Sequence, residues 1–256
     1  MLLFHSLKNY STAITLITDK FNVNNMKPQI RLASIDPDKF SEKILALLNS
    51  GKPKDFIFAD VVTLVQKETG IESIGMRLQD GIDYPYYVTR GFSQNFVEKE
   101  NFLCARDRQG NIIKDSSGLP QLECMCGDII RGRTNTSLTQ FTKGGSFWTN
   151  STSDFITSVA AKALQTKKTR NRCNAAGYES VALIPIRDLG TYGLLQLNDR
   201  RKNLYSLKFI ELMQWVAASI GILISYMQQH ENSETIKDDL QKYHPSRVIG
   251  PIKREK

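Results

Sequence analysis

The residues best equipped for chemistry are the four cysteines, Cys104, Cys124, Cys126 and Cys173. All lie in a loop-rich stretch and the approach to the last apolar segments. Four thiolates suit a tetrahedral zinc site or an iron–sulfur cluster, and turn residues from Asp107 to Gly110 would fold the chain back to carry Cys104 towards Cys124. Two other uses stay open. Cys-x-Cys is a poor metal bite if it lies in a strand, the Cys-x-x-Cys knuckle is missing, and cysteine often packs as a small buried hydrophobe. Thiol redox sensing needs a low-pKa thiol near a second one. The histidines are His5, His230 and His244, none in an expected pocket wall. Haem therefore ranks behind zinc or a cluster, with Cys, Met or Tyr as its axial ligand.

A second candidate set is aromatic. Tyr84, Tyr86, Phe147 and Trp148 are expected to line a ligand pocket, with Tyr84 and Tyr86 on one face of a strand. Gly144-Gly145 fits a turn, and no phosphate loop follows it. Arg131 and Arg133 suit an anion or plain solvation. Asn198-Asp199 reads as a strand terminator. No Ser/His/Asp triad, His-rich metal motif or paired catalytic carboxylates are present, so no catalytic residue is assigned.

These side chains need a scaffold. Asp38 to Leu48 and Asp55 to Thr69 carry helical apolar spacing, stopped by Gly51-Pro53 and Gly70. Ile71 to Leu78 and Tyr84 to Thr89 read as paired strands across Asp80-Gly81. Residues 98–150 are rich in Gly, Ser, Thr, Asn and Asp, too long for an ordinary connection and so either functional or a small subdomain of hairpins. Ser153 to Leu164 predicts a helix. Val181 to Ile186 and Tyr192 to Leu197 predict a hairpin, and Ser206 caps a helix running to about His230. The fold class is α+β: an antiparallel sheet with helices on one face and the long loop region over the other, enclosing a pocket. Residues 1–37 read as a partly disordered leader, with Met26 a candidate natural start; residues 38–230 form the domain, and 231–256 a polar tail.

The formal charge of +8 gathers in runs such as Lys167 to Arg172, which read as solvated surface, and no nucleic-acid motif accompanies it. No signal peptide is recognisable. Phe209 to Met227 has the length of a membrane span, but Glu211, Gln214 and Ser219 interrupt it. Phe209, Met213, Val216, Ile220, Leu223 and Met227 form a stripe suited to a core helix. The expectation is a cytoplasmic protein that binds neither nucleic acid nor membrane.

The segments Glu123–Gly127 (ECMCG), Gly144–Ser151 (GGSFWTNS), Asn171–Arg187 and Gly193–Arg201, in this order, resemble the GAF domains of prokaryotic PAS/GAF sensor proteins, the input modules of sensor histidine kinases. The similarity spans Asp38 to His230. It implies a six-stranded antiparallel sheet, a small-molecule or redox-sensing pocket, homodimerisation through terminal helices, and a kinase or regulator as partner. Too few residues follow His230 for a kinase core. The cyclic-nucleotide signature is missing, and no cysteine is followed by the histidine typical of bilin attachment. The expected function is a sensor domain of a two-component system that is not an enzyme. The alternative is a thiol-dependent reductase of GAF fold, acting on free methionine sulfoxide.

Overall fold

A computed structural model of the chain describes residues 35–158 and 170–242. The expected leader falls almost wholly outside these residues, as do the Met26 start and the end of the tail. Helix α1 (Pro37–Leu48) begins where the Asp36 side chain accepts hydrogen bonds from the amides of Asp38 and Lys39, with Pro37 in the first turn. Its buried residues, Phe40, Ile44 and Leu48, recur every four positions. Helix α2 (Lys54–Thr69) ends at Gly70 in the left-handed conformation, φ 67°.

Strand β1 (Ser73–Leu78) pairs with β2 (Tyr86–Arg90). Next come α3 (Gln94–Glu100), α4 (Cys124–Ile130), β3 (Phe147–Thr149), α5 (Thr152–Thr157), α6 (Arg172–Ala175), β4 (Ser180–Arg187) and β5 (Thr191–Asp199). The chain then enters α7 (Leu207–Lys242). The sheet runs β2-β1-β5-β4-β3, every neighbour antiparallel. The expected closing hairpin is β4–β5. It delivers β5 beside β1, so the first and last strands meet at the centre of the sheet.

Among the described residues the sheet has five strands, not the expected six. In residues 103–123 the backbone makes only isolated bridges, Cys104 with Leu122, Arg106 with Ile112 and Lys114 with Pro120. Two aspartates interrupt any ladder there. Asp107 Oδ1 accepts from the amides of Gln109 and Asn111, and Asp115 Oδ1 from those of Ser117 and Leu119. Pro120 has no N–H to donate. The same limitation at Pro85 delays β2 to Tyr86, past the expected Tyr84 start. The helix expected over 153–164 is seen as Thr152–Thr157, and residues 159–164 lie outside the described chain.

Helices α1, α2 and α7 cover one face, around Ile44, Phe58, Val61, Met76, Ile184, Leu195, Met213 and Ile220. Helix α7 passes so close to the end of β4 that a Cβ on Gly221 would lie 2.3 Å from the Arg187 carbonyl oxygen. By length and composition, residues 207–230 are apolar enough to cross a membrane. In the fold Phe209, Ile210, Met213, Val216, Ala217 and Ile220 are buried against the sheet. The helix also continues past His230 to Lys242, in the first part of the segment expected to hold a further stretch of helix before the tail. A second cluster, with Phe96, Leu103, Leu122, Ile129, Phe141, Phe147 and Leu183, fills the opposite face beneath residues 92–147, which act as a cap.

Candidate functional site

Antiparallel register builds the site. Ser73 lies opposite Asn198, Gly75 opposite Gln196 and Arg77 opposite Leu194, so these residues share the cap-facing side of the sheet. Arg77 is fully buried. Its Nη1 donates to the carbonyls of Tyr84 (3.0 Å) and Asn101 (2.9 Å), and its Nη2 to that of Glu100 (2.6 Å). The guanidinium carbon sits 3.6 Å from the centroid of the Tyr86 ring. The Tyr86 hydroxyl donates to Gln196 Oε1 at 2.9 Å, and Gln196 Nε2 donates to Asn198 Oδ1 at 3.1 Å and faces Cys173 Sγ at 3.7 Å. The ring can lie flat here because position 75 is glycine: a Cβ would come within 2.7 Å of Tyr86 Cε1. Phe92 stacks on Phe96 at 4.9 Å, and both meet Tyr178 edge-on. Ser73 Oγ and Tyr178 OH are 3.1 Å apart. Burial pushes the Tyr86 hydroxyl far above its usual range despite the opposing pull of Arg77.

Three of the four cysteines gather above this patch. Cys124 opens α4 with a positive φ of 62°, unusual for a residue with a Cβ, and its Sγ accepts from the Arg170 amide at 3.1 Å. Cys126, two residues further into the helix, is buried, and its proton affinity responds to Arg77, Cys173 and Cys124. Burial raises all three thiols: Cys126 well above its ordinary value, Cys173 to about 12, and Cys124 against the opposing Arg170 amide. At neutral pH the cluster therefore holds thiols, not thiolates.

Cys104 is elsewhere, which corrects the expected four-cysteine metal site. Its Sγ donates to the Ile82 carbonyl at 3.3 Å, and its amide bonds to the Asp83 carboxylate. Asp83 Oδ1 also accepts from the amides of Tyr84 and Leu103, both at 2.8 Å, tying this end of the cap hairpin to the 80–84 turn. Burial first, then the Asp83 charge, raises Cys104 to about 12. Among the described residues, no group of three or more His, Cys, Asp or Glu side chains is placed to hold a metal ion. A zinc ion or cluster on all four sulfurs does not fit this arrangement.

The aromatic set divides too. Tyr86 joins the patch; Tyr84 is buried among the cap residues, close to Asp83 and Cys104. Phe147 and Trp148 are neighbours on β3 and point to opposite faces. Phe147 packs under the cap with Phe141 and Phe155 (centroids 5.6 and 5.1 Å), whereas Trp148 packs against the helix-side core. Trp148 cannot line the same enclosure. Arg131 is spent on the Pro120 carbonyl and Arg133 on Asp128.

The sequence signal missed the polar residues. The basic run expected to be solvated ends in Arg170 and Arg172, which clamp the cap. Arg172 Nη1 bonds the buried Glu100 carboxylate at 2.9 Å, and Arg170 reaches it at 3.5 Å. Arg170 Nε also bonds Glu123 at 2.5 Å, and its Nη1 the Phe102 carbonyl at 2.9 Å. This joins α3 to the entry of α4 beside the thiols. Arg77, a charge inside the apolar run SIGMRL, was the available signal, as were Gln196 and Asn198 at alternate positions of GLLQLND.

No protein-family model matches the sequence. No curated protein matches it either. Solved structures do. The free methionine-R-sulfoxide reductase of Neisseria meningitidis, in complex with its substrate, is 10% identical, covers 80% of this chain and 97% of its own, with a TM-score of 0.51. The fRMsr of Staphylococcus aureus, also with substrate, is 11% identical over 78% of this chain and 99% of its own, TM-score 0.49. The GAF domain of a phosphoenolpyruvate-protein phosphotransferase from Coxiella burnetii is 12% identical over 77% and 97%, TM-score 0.49. The fold is GAF-like. One expectation is overturned: since the Neisseria structure of this fold is an enzyme, the sequence-based exclusion of catalysis does not stand.

Proposed function

We propose that this chain is a GAF-type sensor module that binds a small ligand between sheet and cap and passes its occupancy to the terminal helices. The chemistry of the cap-facing side of the sheet carries this proposal. A surface that served packing alone would be apolar. This one places Arg77, Gln196 and Asn198 in a buried patch with Cys126 and Cys173 beside it, and buried polar groups are costly unless they find partners. Helices α1 and α7 pack on the other face of the same strands. A ligand with different affinity for two strand arrangements would bias two helix arrangements. A homodimer through those helices, a kinase or regulator receiving the signal and a cytoplasmic setting complete the proposal. The test is a thermal-shift titration of the purified chain against a set of small polar metabolites. A saturable rise with one compound class supports it, and no rise with any compound overturns it. A concentration-independent monomer in sedimentation would remove the dimer.

A second proposal, a thiol-dependent reductase of free methionine sulfoxide, is favoured by the gathering of Cys124, Cys126 and Cys173. The burial that keeps their protons on opposes it, since the thiolate is the nucleophile. Consumption of free methionine sulfoxide with a dithiol reductant, lost in Cys→Ser variants, would place the reductase ahead of the sensor.

A further inference from the structure

Arg187, the last residue of β4, touches both layers of the domain. On the helix side its main chain lies against α7, where Gly221 leaves no room for a Cβ beside the Arg187 carbonyl. On the cap side its Nη2 donates to the Ile129 carbonyl at 2.7 Å, in the last turn of α4. The guanidinium also rests on the 142–146 turn: a Cβ on Gly145, which has a φ of 80°, would come within 3.1 Å of Nη1. A second link lies two helical turns earlier on α7. Gln214 Nε2 donates at 2.9 Å to Thr142 Oγ1, which also accepts from the Ser146 amide at 3.0 Å. A Cβ on Gly144 would collide with that nitrogen and break the bond. Gln214 and Gly221 are seven positions apart and so share one face of α7. The Arg187 grip is light. Among the described residues Ile129 supplies its one side-chain acceptor, Nε has no partner, and burial alone holds the charge below its usual proton affinity. Latched, the guanidinium exchanges water for a single charge-assisted bond; released, it regains the water. Closed and open states therefore lie near each other in energy, as a switch requires.

Resting on the sensor proposal above, we propose that Arg187 and Gln214 latch the cap segment 129–146 to α7, so that a shift of α7 frees the α4 end of the cap. By linkage, opening of that end of the cap shifts α7 in return.

The test is labelling of the full native chain with iodoacetamide, resolved by site with mass spectrometry. Cys126 in α4 reports the latched end of the cap; Cys104, tied separately to Ile82 and Asp83, is the internal reference. Arg187→Met keeps an unbranched stem and removes the donors, and is expected to speed labelling of Cys126 about tenfold relative to Cys104. Gln214→Leu and Gly221→Ala, both on α7, are expected to speed Cys126 in the same selective way. Equal acceleration of Cys126 and Cys104 would mark general destabilisation and overturn the latch, as would an unchanged Cys126 in Arg187→Met. Acceleration in Arg187→Met with none in either α7 variant would overturn the link to α7. If Gly221→Ala fails to fold, Gln214→Leu still decides that link. No ligand enters this experiment, so its failure leaves the sensor proposal to the metabolite titration, and a failed titration leaves these labelling rates as they are.

Discussion

Gly75→Ala separates two opposing effects. In a strand, replacing glycine by alanine ordinarily stabilises by about 0.5–1 kcal/mol, because the unfolded chain loses freedom. Here the new Cβ would stand 2.7 Å and 3.0 Å from two Tyr86 ring carbons and 3.2 Å from Phe92 Cε2. The Tyr86 ring cannot simply swing away. It is pinned by its hydroxyl on Gln196 at 2.9 Å and by Arg77 at 3.6 Å over its face. Overpacking of this kind costs about 1–3 kcal/mol, and losing the hydroxyl bond adds about 1 kcal/mol. The clash wins, with a net destabilisation of about 1–3 kcal/mol. Denaturant unfolding followed by fluorescence of Trp148 and Trp215 reads it as a lower midpoint at unchanged m-value. In a Tyr86→Leu background the smaller side chain clears the space, so the cost should fall by at least about 1 kcal/mol. A double-mutant cycle additive to within about 0.5 kcal/mol would refute the packing of Tyr86 on Gly75. A stabilised single variant would refute it more directly.

The ion-pair clamp predicts that Glu100→Gln, which strips the buried carboxylate from Arg170 and Arg172, destabilises by about 3 kcal/mol; a loss under 0.5 kcal/mol in the same unfolding assay would dismiss the clamp. Asp83→Ala frees the amides of Tyr84, Leu103 and Cys104, so amide exchange across residues 103–123 should accelerate before the rest of the domain changes. Cys173 has a thiol raised from 9.0 to about 12 in the fold. The unfolded chain loses this proton first, so its contribution to stability is complete below pH 9 and declines as pH climbs to about 12. Melting curves of Cys173→Ser should therefore fall less steeply over that window than wild type, and parallel curves would contradict the buried-thiol assignment. Native-state labelling with a small alkylating agent at pH 8 should find Cys126 and Cys173 far slower than in the unfolded chain.

Local spacing was enough for most of the scaffold. The i, i+4 repeat of Phe40, Ile44 and Leu48, the glycine stop at Gly70, the hairpin across Asp188 to Gly190 and the Ser206 cap all act within a few residues of themselves. The near-continuous apolar runs of β4 and β5 announced their burial, and the GAF resemblance named the correct fold. The strand count, the sorting of Phe147 from Trp148 and the separation of Cys104 depended on partners far along the chain. Arg170 and Glu100 stand 70 positions apart, and Tyr86 and Gln196 stand 110 apart. A charge run looks solvated in one dimension because nothing nearby neutralises it, yet the fold brings buried carboxylates to Arg170 and Arg172. The types of the polar residues were written in the chain; their convergence on one buried patch belongs to the antiparallel register of β1 and β5, which no local signal encodes.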